Sequence, residues 1–222
     1  MLKQISLLIL CAVAIVLFAT PVHACTSAVV SGKVTLDGRP LLWKNRDTDF
    51  MRNHVDYVKG ERYDFIAVVN SANAYLKEAW MGTNSAGFAL MNTQSYNLVD
   101  VKGDEERGAA NGRVIYRALE VCATVEDFCH FLDTISKPSD IEANFGVIDA
   151  QGGAAMFEVD YYKYVMYDAN NPKDAPYGYI ARTNFSFAGK VNEGAGYVRY
   201  MEADQVLMKA SATGNITPQF IF

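Results

Sequence analysis

The chain lacks any cluster of basic residues. Its 20 Lys and Arg are outnumbered by 25 Asp and Glu over 222 residues, for a formal charge of −5, and they form no run. Binding to a phosphate backbone relies on clustered Lys and Arg, so no nucleic-acid partner is expected. Histidine is scarce too, with three in all. His54 sits among Arg52, Asn53 and Asp56 and reads as a surface residue, whereas His130 falls on a helical stretch beside core positions and reads as structural. Neither belongs to a metal-spaced pair. The HExxH, CxxC, P-loop, GxSxG and GxGxxG patterns are all missing, which removes the usual zinc-protease, dithiol, nucleotide and serine-hydrolase readings. Long apolar runs are absent apart from residues 5–19, which fall short of the roughly 20 that a spanning helix wants, so no stable membrane span is expected. What is present is ordinary: 50% hydrophobic and 20% charged residues exclude disorder and fibrous repeats, and the length allows one sizeable core.

The first 24 residues have the layout of a secretory signal. Lys3 opens them, the apolar stretch 5–19 follows, the pattern breaks at Thr20-Pro21, and Val22-His23-Ala24 puts small residues at −3 and −1. The expected division is a signal peptide over 1–24 and one domain over 25–222. The mature protein is expected to be exported, either to a periplasm or out of the cell. Cleavage after Ala24 removes Cys11 and leaves Cys25, Cys122 and Cys129, an odd number that flags one unpaired thiol. Cys122 and Cys129 are read either as a disulfide or as two buried thiols. Cys25 is the thiol left over, and it becomes the first residue of the mature chain.

Periodicity predicts strands over 26–31, 40–44, 62–70, 75–81 and 87–94, with Asp37-Gly38 as a hairpin turn between the first two. Residues 99–111 are charged and glycine-rich and read as loop. A helix is expected over 112–122, and a second starts at Thr124 with Asp127 three residues on. Strands resume at 144–149, 154–159, 162–168 and 177–183, and 197–212 reads as a closing helix. Strands, then helices, then strands and a helix point to an α+β layered fold. The apolar ending Phe220-Ile221-Phe222 reads as a stop inside a core, so the domain is expected to be incomplete at its C-terminus.

An N-terminal cysteine has its own catalytic logic. The α-amine titrates at about 7.7–8.0, against about 10.4 for a lysine side chain. It can therefore take the proton of the thiol on the same residue, leaving a thiolate to attack a carbonyl. Such chemistry still needs a carboxylate to hold the amine and donors for the oxyanion. Two other readings of Cys25 stand beside this one: a lipidated cysteine tethering a binding module, and a small buried residue.

Cys25-Thr26-Ser27 followed by Trp43-Lys44-Asn45-Arg46-Asp47 resembles the opening of the N-terminal-nucleophile (Ntn) linear amide hydrolases. These comprise the choloylglycine hydrolase and penicillin V acylase group and the acyl-coenzyme A:6-aminopenicillanic acid acyltransferase-like peptidases. Three further segments carry the likeness: Gly82-Thr83-Asn84-Ser85-Ala86-Gly87 leading to Met91-Asn92, then Arg182-Thr183-Asn184, then Arg199-Tyr200 with Ala203. The resemblance implies a four-layer αββα sandwich with the nucleophile on a central strand. It implies catalytic roles for Cys25 as nucleophile and Asp47 as the neighbouring carboxylate. It also implies Asn92 as a backbone oxyanion donor, Asn184 as a side-chain oxyanion donor, and Arg199 as the charge that tunes the thiol. The plainer readings remain open: a surface carboxylate at Asp47, polar strand ends at Asn92 and Asn184, and a helix-surface charge at Arg199. The choloylglycine branch has Arg where this chain has Lys44, which argues against a bile-salt role, with Arg46 as a substitute charge on the same strand face.

The resulting expectation is an amidase, or acyltransferase, acting on a small-molecule amide, with no metal or organic cofactor. A Cys-dependent dipeptidase is a close variant. Oligomeric state and substrate are left open, with loops 48–60 and 95–111 expected to carry the acyl pocket. The Tyr161-Tyr162-x-Tyr164 cluster reads as strand packing. Asn184-Phe-Ser186 and Asn215-Ile-Thr217 also match the glycosylation acceptor pattern.

Overall fold

A computed structural model of the chain describes residues 25–99, 108–214 and 216–221. The expected signal peptide and the Asn215 acceptor lie outside these residues. The first strand, β1 (Thr26–Val30), is buried along its whole length. It lies between β2 (Leu41–Asn45) and β10 (Tyr179–Arg182) in a three-stranded antiparallel sheet. A second antiparallel sheet runs in chain order through β3 (Asn53–Val58), β4 (Phe65–Asn70), β5 (Met81–Asn84), β6 (Ala89–Gln94), β7 (Ala143–Ile148), β8 (Ala154–Val159) and β9 (Tyr164–Asp168). Helices α1 (Asn111–Val121) and α2 (Val125–Thr134) cover the outer face of this larger sheet. Helix α3 (Tyr197–Ser211) covers the outer face of the smaller sheet, and a short α4 (Pro218–Ile221) follows it.

Three apolar seams hold the four layers together, and strand alternation assigns residues to them. Phe65, Ala67 and Val69 of β4 pack with Ile115 and Leu119 of α1 and Phe128 of α2. Val29 and Ile180 meet Met91 and Met156 between the sheets. Ala28, Val30, Tyr179 and Ala181 face Leu207 of α3. A Cβ at Gly146, in the middle of β7, would meet Met91, Val29 and Leu42. Glycine is what lets the two sheets approach there.

The layers are the expected α, β, β and α, with differences of detail. Residues 48–60 contain the edge strand β3, paired with β4 from Asn53↔Asn70 to Val58↔Phe65. Its sequence, Asn-His-Val-Asp-Tyr-Val, hides the strand because only one side of it meets the core. Of residues 75–81, only Met81 is in a strand, as the first residue of β5. The others hold a 3₁₀ turn (Ala74–Leu76) and then cross toward α1, with Ala79 N–H donating to Gly112 O at 3.0 Å. Helix α2 opens on the expected capping box: Asp127 N–H donates to Thr124 Oγ1 at 3.0 Å and Thr124 N–H to Asp127 Oδ2 at 3.2 Å. Cys122 and Cys129 are free thiols rather than a disulfide. His130 is exposed on α2 instead of lying against the core, and His54 is exposed as expected, its Nδ1 3.0 Å from Ser71 Oγ. Tyr164 packs against the outer core while Tyr162 faces solvent. No helix among the described residues is long and apolar enough to cross a membrane.

The two sheets differ in width. The smaller one lies over β6, β7 and β8, and β2 is its edge. Beyond that edge the inner face of β3–β5 is open. Val55 is 64% and Ile66 46% exposed there, and with Leu42, Val68 and Met81 they line an apolar cleft of about 370 Å³.

Candidate active site

Cys25 immediately precedes β1 and is half-buried. Its Sγ lies 3.6 Å from the main-chain carbonyl oxygen of Asp47, which sits just past the end of β2. The antiparallel pair of β1 and β2, aligned as Thr26↔Asn45, brings the two residues together. Asp47 meets the thiol through its backbone. Its side chain belongs to an exposed residue and makes no hydrogen bond among the described residues.

Arg199, in the first turn of α3, reaches the same point from the other side. Its Nη1 donates to the Cys25 carbonyl oxygen and, at 3.1 Å, to Thr26 Oγ1, while Nη2 donates to Asn184 Oδ1 at 3.0 Å. A planar guanidinium can hold these acceptors at once, which a lysine could not. Asn184 is fully buried. Its Nδ2 donates to Gln94 O at 2.8 Å, so both ends of the amide are defined by their partners, and one N–H of the amide group is left over. Complete burial in the folded chain also removes Asn184 as a glycosylation acceptor.

The segment carrying Asn184 leaves β10 of the smaller sheet and is anchored to the larger one. Thr93 Oγ1 donates to Thr183 O at 2.9 Å, and Asn144 Nδ2 lies 3.1 Å from both Thr183 O and Phe185 O. Beyond it, the Glu158 carboxylate accepts from Phe187 N–H at 2.8 Å and Ala188 N–H at 2.7 Å. Arg182 Nε donates to the same carboxylate at 2.6 Å, and its guanidinium lies between the rings of Tyr167 and Phe187. Both members of this ion pair are buried.

Asn92 sits on β6 one residue past the last pair of the β5–β6 ladder, Met81↔Met91. Lys44, on the inward face of β2, reaches across to this point. Its Nζ donates to Asn92 Oδ1 at 3.1 Å and to Trp80 O at 2.9 Å. Burial pulls the Lys44 ammonium down to about 8, opposed by the nearby Cys25 thiol and assisted by Arg46. Arg46 donates to Asn70 Oδ1 at 2.8 Å and to Asn53, and stands over the Trp80 ring. Burial lowers Arg46 as well, again opposed by Cys25.

Arg199 thus bonds Cys25 and Asn184 directly and Asp47 joins them through its carbonyl, whereas Asn92 stands outside these hydrogen bonds, its side chain held by Lys44. The Gly82-to-Gly87 segment serves the frame. Asn84 Nδ2 donates to Leu119 O and Cys122 O at the end of α1, and its Oδ1 accepts from Ala86 and Phe88 N–H in the turn before β6. Sequence reasoning missed Gln94, Asn144 and Glu158. A carboxylate inside the apolar strand Ala-Ala-Met-Phe-Glu-Val was the available signal for the last of these.

No curated protein sequence matches the chain. Among solved structures, the Caenorhabditis elegans ortholog of N-acylethanolamine-hydrolyzing acid amidase is similar at 15% identity and TM-score 0.59, covering 88% of this chain and 87% of that one. A variant of conjugated bile acid hydrolase from Clostridium perfringens is similar at 13% identity and TM-score 0.56, covering 87% and 75%. Another mutant of that hydrolase aligns at 15% identity and TM-score 0.49 over 70% of this chain, which spans 52% of its length. The first two of these likenesses establish the Ntn-hydrolase fold. The family model for acyl-coenzyme A:6-aminopenicillanic acid acyl-transferase matches residues 35–204, which include Asp47, Asn92, Asn184 and Arg199 and begin after Cys25. A match over that much of the 222 residues makes this chain a member of the acyl-coenzyme A:6-aminopenicillanic acid acyl-transferase family.

Proposed function

We propose that the protein is an exported Ntn amidase or acyltransferase that breaks a linear carbon–nitrogen amide bond through an acyl-thioester on Cys25. Removal of residues 1–24 frees the α-amine of Cys25. That amine takes the thiol proton, and the sulfur attacks the amide carbonyl carbon. The tetrahedral oxyanion accepts from the Asn92 backbone N–H and from the remaining N–H of the Asn184 amide. As the C–N bond breaks, the ammonium returns its proton to the leaving amine. Water, or an acceptor amine, then attacks the thioester and releases the acyl group. Asp47 accepts from the ammonium through the same carbonyl that meets the sulfur, and Arg199 fixes the Cys25 backbone and Asn184 relative to each other.

The observation that carries this reading is the triple bond set of Arg199, on the Cys25 carbonyl, Thr26 and Asn184. It joins a cysteine at a strand start to a buried amide 159 residues away (184 − 25) through one cation. The apolar cleft begins at Leu42, two residues before Lys44 on β2, and at Met81, which follows Trp80, and suits the acyl part of the substrate.

The test joins two measurements on the exported protein. Intact mass is expected to show a chain beginning at an unmodified Cys25, and turnover is expected on at least one of penicillin V, a conjugated bile salt, an N-acyl amino acid or a dipeptide. A diacylglycerol adduct on Cys25, with no turnover of any of the four, would overturn the reading in favour of a lipid-tethered module.

A further inference from the structure

The inner face of the larger sheet changes character within one step along its strands. Met91, Gly146 and Met156 lie side by side on β6, β7 and β8 and meet Val29 of the smaller sheet. Two residues away on each strand, the same face carries Thr93, Asn144 and Glu158, again side by side and all buried. Polar side chains in a dry gap cost desolvation unless they are bonded, and apolar residues would have continued the seam without that cost. The bonds of this row converge on one target, the segment that follows β10. Thr93 Oγ1 donates to Thr183 O, Asn144 Nδ2 donates to Thr183 O and Phe185 O, and Glu158 accepts from Phe187 and Ala188 N–H. The carbonyl between the two that Asn144 holds, Asn184 O, accepts from Ala195 N–H at 3.1 Å. Asn144 is fixed in turn by Ser186 Oγ, which donates to its Oδ1 at 2.5 Å. The main chain is therefore held on both sides of residue 184 by one amide from the opposite sheet.

We propose that Asn144 is a positioning residue for the oxyanion donor: by clamping the carbonyls of Thr183 and Phe185, it places the spare N–H of the Asn184 amide where negative charge develops. The proposal rests on the reading of Asn184 as that donor. Arg199 and Gln94 O set how the Asn184 amide is turned, and the clamp sets how far it reaches. Among the described residues Asn144 makes no hydrogen bond to Cys25 or Arg199. Its loss therefore leaves the nucleophile and the guanidinium bonds in place and displaces the donor. A donor that acts mainly on the tetrahedral state contributes to kcat rather than to KM.

The experiment compares the mature chain with its N144A, T93V and N184A variants, with circular dichroism as the folding control. Three quantities are read: kcat and KM on whichever of the four amide substrates turns over, inhibition by the aldehyde of the same acyl group, and the rate of Cys25 alkylation by iodoacetamide. The Cys25 thiol adds across the aldehyde C=O, sulfur to carbon and proton to oxygen, and the tetrahedral adduct calls on the oxyanion donor; alkylation does not. N144A is expected to lose about 10²-fold in kcat with KM within about twofold of the wild type. Its aldehyde affinity is expected to fall at least about tenfold, and its alkylation rate to stay within about twofold. T93V loses one of the two donors to Thr183 O and is expected to lose about fivefold in kcat. Wild-type kcat in folded N144A, a kcat loss without a loss of aldehyde affinity, or an equal loss of alkylation would overturn the proposal. If N144A does not fold, T93V decides alone, and wild-type kcat there would overturn it. Wild-type aldehyde affinity in N184A would instead bring down the reading of Asn184 as the donor, a separate outcome.

Discussion

The guanidinium of Arg199 bonds the carbonyl oxygen of Cys25 with one nitrogen and the amide oxygen of Asn184 with the other, the latter at 3.0 Å. The relative position of sulfur and oxyanion donor is thus set by a single side chain from α3. Arg199→Lys keeps the charge and loses the fork. The expected result is a fall in kcat of about 10²-fold with the circular dichroism spectrum unchanged, the size of effect that a misplacement of about 1 Å produces. Steady-state kinetics on the best amide substrate measure it.

Glu158→Gln breaks a buried ion pair and leaves Arg182 without its carboxylate between the rings of Tyr167 and Phe187. Removing one partner of such a pair costs about 3–5 kcal/mol. Phe187 and Ala188 donate to different oxygens of the carboxylate, and the amide keeps only one, so one of these N–H groups loses its acceptor and the Asn184 segment loosens. Urea unfolding is expected to show the stability loss, together with reduced kcat.

Lys44 makes stability depend on pH. Its folded-state value of about 8 lies below the 10.5 of a free lysine, so between these values the unfolded chain binds more protons than the folded one. Stability attributable to this residue therefore rises as pH increases from 8 toward 10.5, by at most on the order of 3 kcal/mol. Comparison of wild-type and K44M unfolding at pH 7.5 and pH 10 isolates the effect. The difference between the two proteins is expected to shift in favour of the wild type at the higher pH.

Cys122 is buried, and its thiol is pushed up to about 12 by that burial, with the Asp127 carboxylate adding to it. Burial raises Cys129 as well. In the native mature protein a disulfide reagent at pH 8 is expected to label Cys25 and to spare Cys122. In denaturant all three thiols are expected to react without prior reduction. A requirement for reductant would show that Cys122 and Cys129 are bridged.

The Thr124 and Asp127 pair closes the start of α2 with two reciprocal hydrogen bonds. Thr124→Ala is expected to lower stability by about 1 kcal/mol and to leave turnover unchanged, since α2 lies on the layer farthest from Cys25. Thermal unfolding and kinetics check the two halves.

What could be read from the sequence follows how local the signal is. The capping box, the β1–β2 hairpin and the amphipathic face of α1 each depend on neighbours a few residues apart, and each stands where periodicity put it. The edge strand β3 escaped because a strand with one solvent side carries Asn, His and Asp as readily as a loop does. The crossing at 75–81 was misread because Tyr, Leu and Trp are strand-prone in isolation, whereas hydrogen bonds to Val68 and Gly112 direct that segment elsewhere. For the site, the signal layout pointed to Cys25, and the family resemblance to Asp47, Asn92, Asn184 and Arg199. The links between them did not show in the sequence. Gln94 contributes through its backbone, which has no residue signature, and Asn144 and Lys44 act across the gap between two sheets that only the tertiary fold brings together.

The most direct test is to trap the acyl group itself. The mature protein, mixed with its best amide substrate and quenched in acid within the first turnovers, is expected to carry the mass of the acyl group on the peptide that begins at Cys25, and the Cys25→Ser chain is expected to lose turnover by at least about 10³-fold. An acyl adduct on any other residue, or full turnover by the Cys25→Ser chain, would contradict the assignment of Cys25 as the nucleophile.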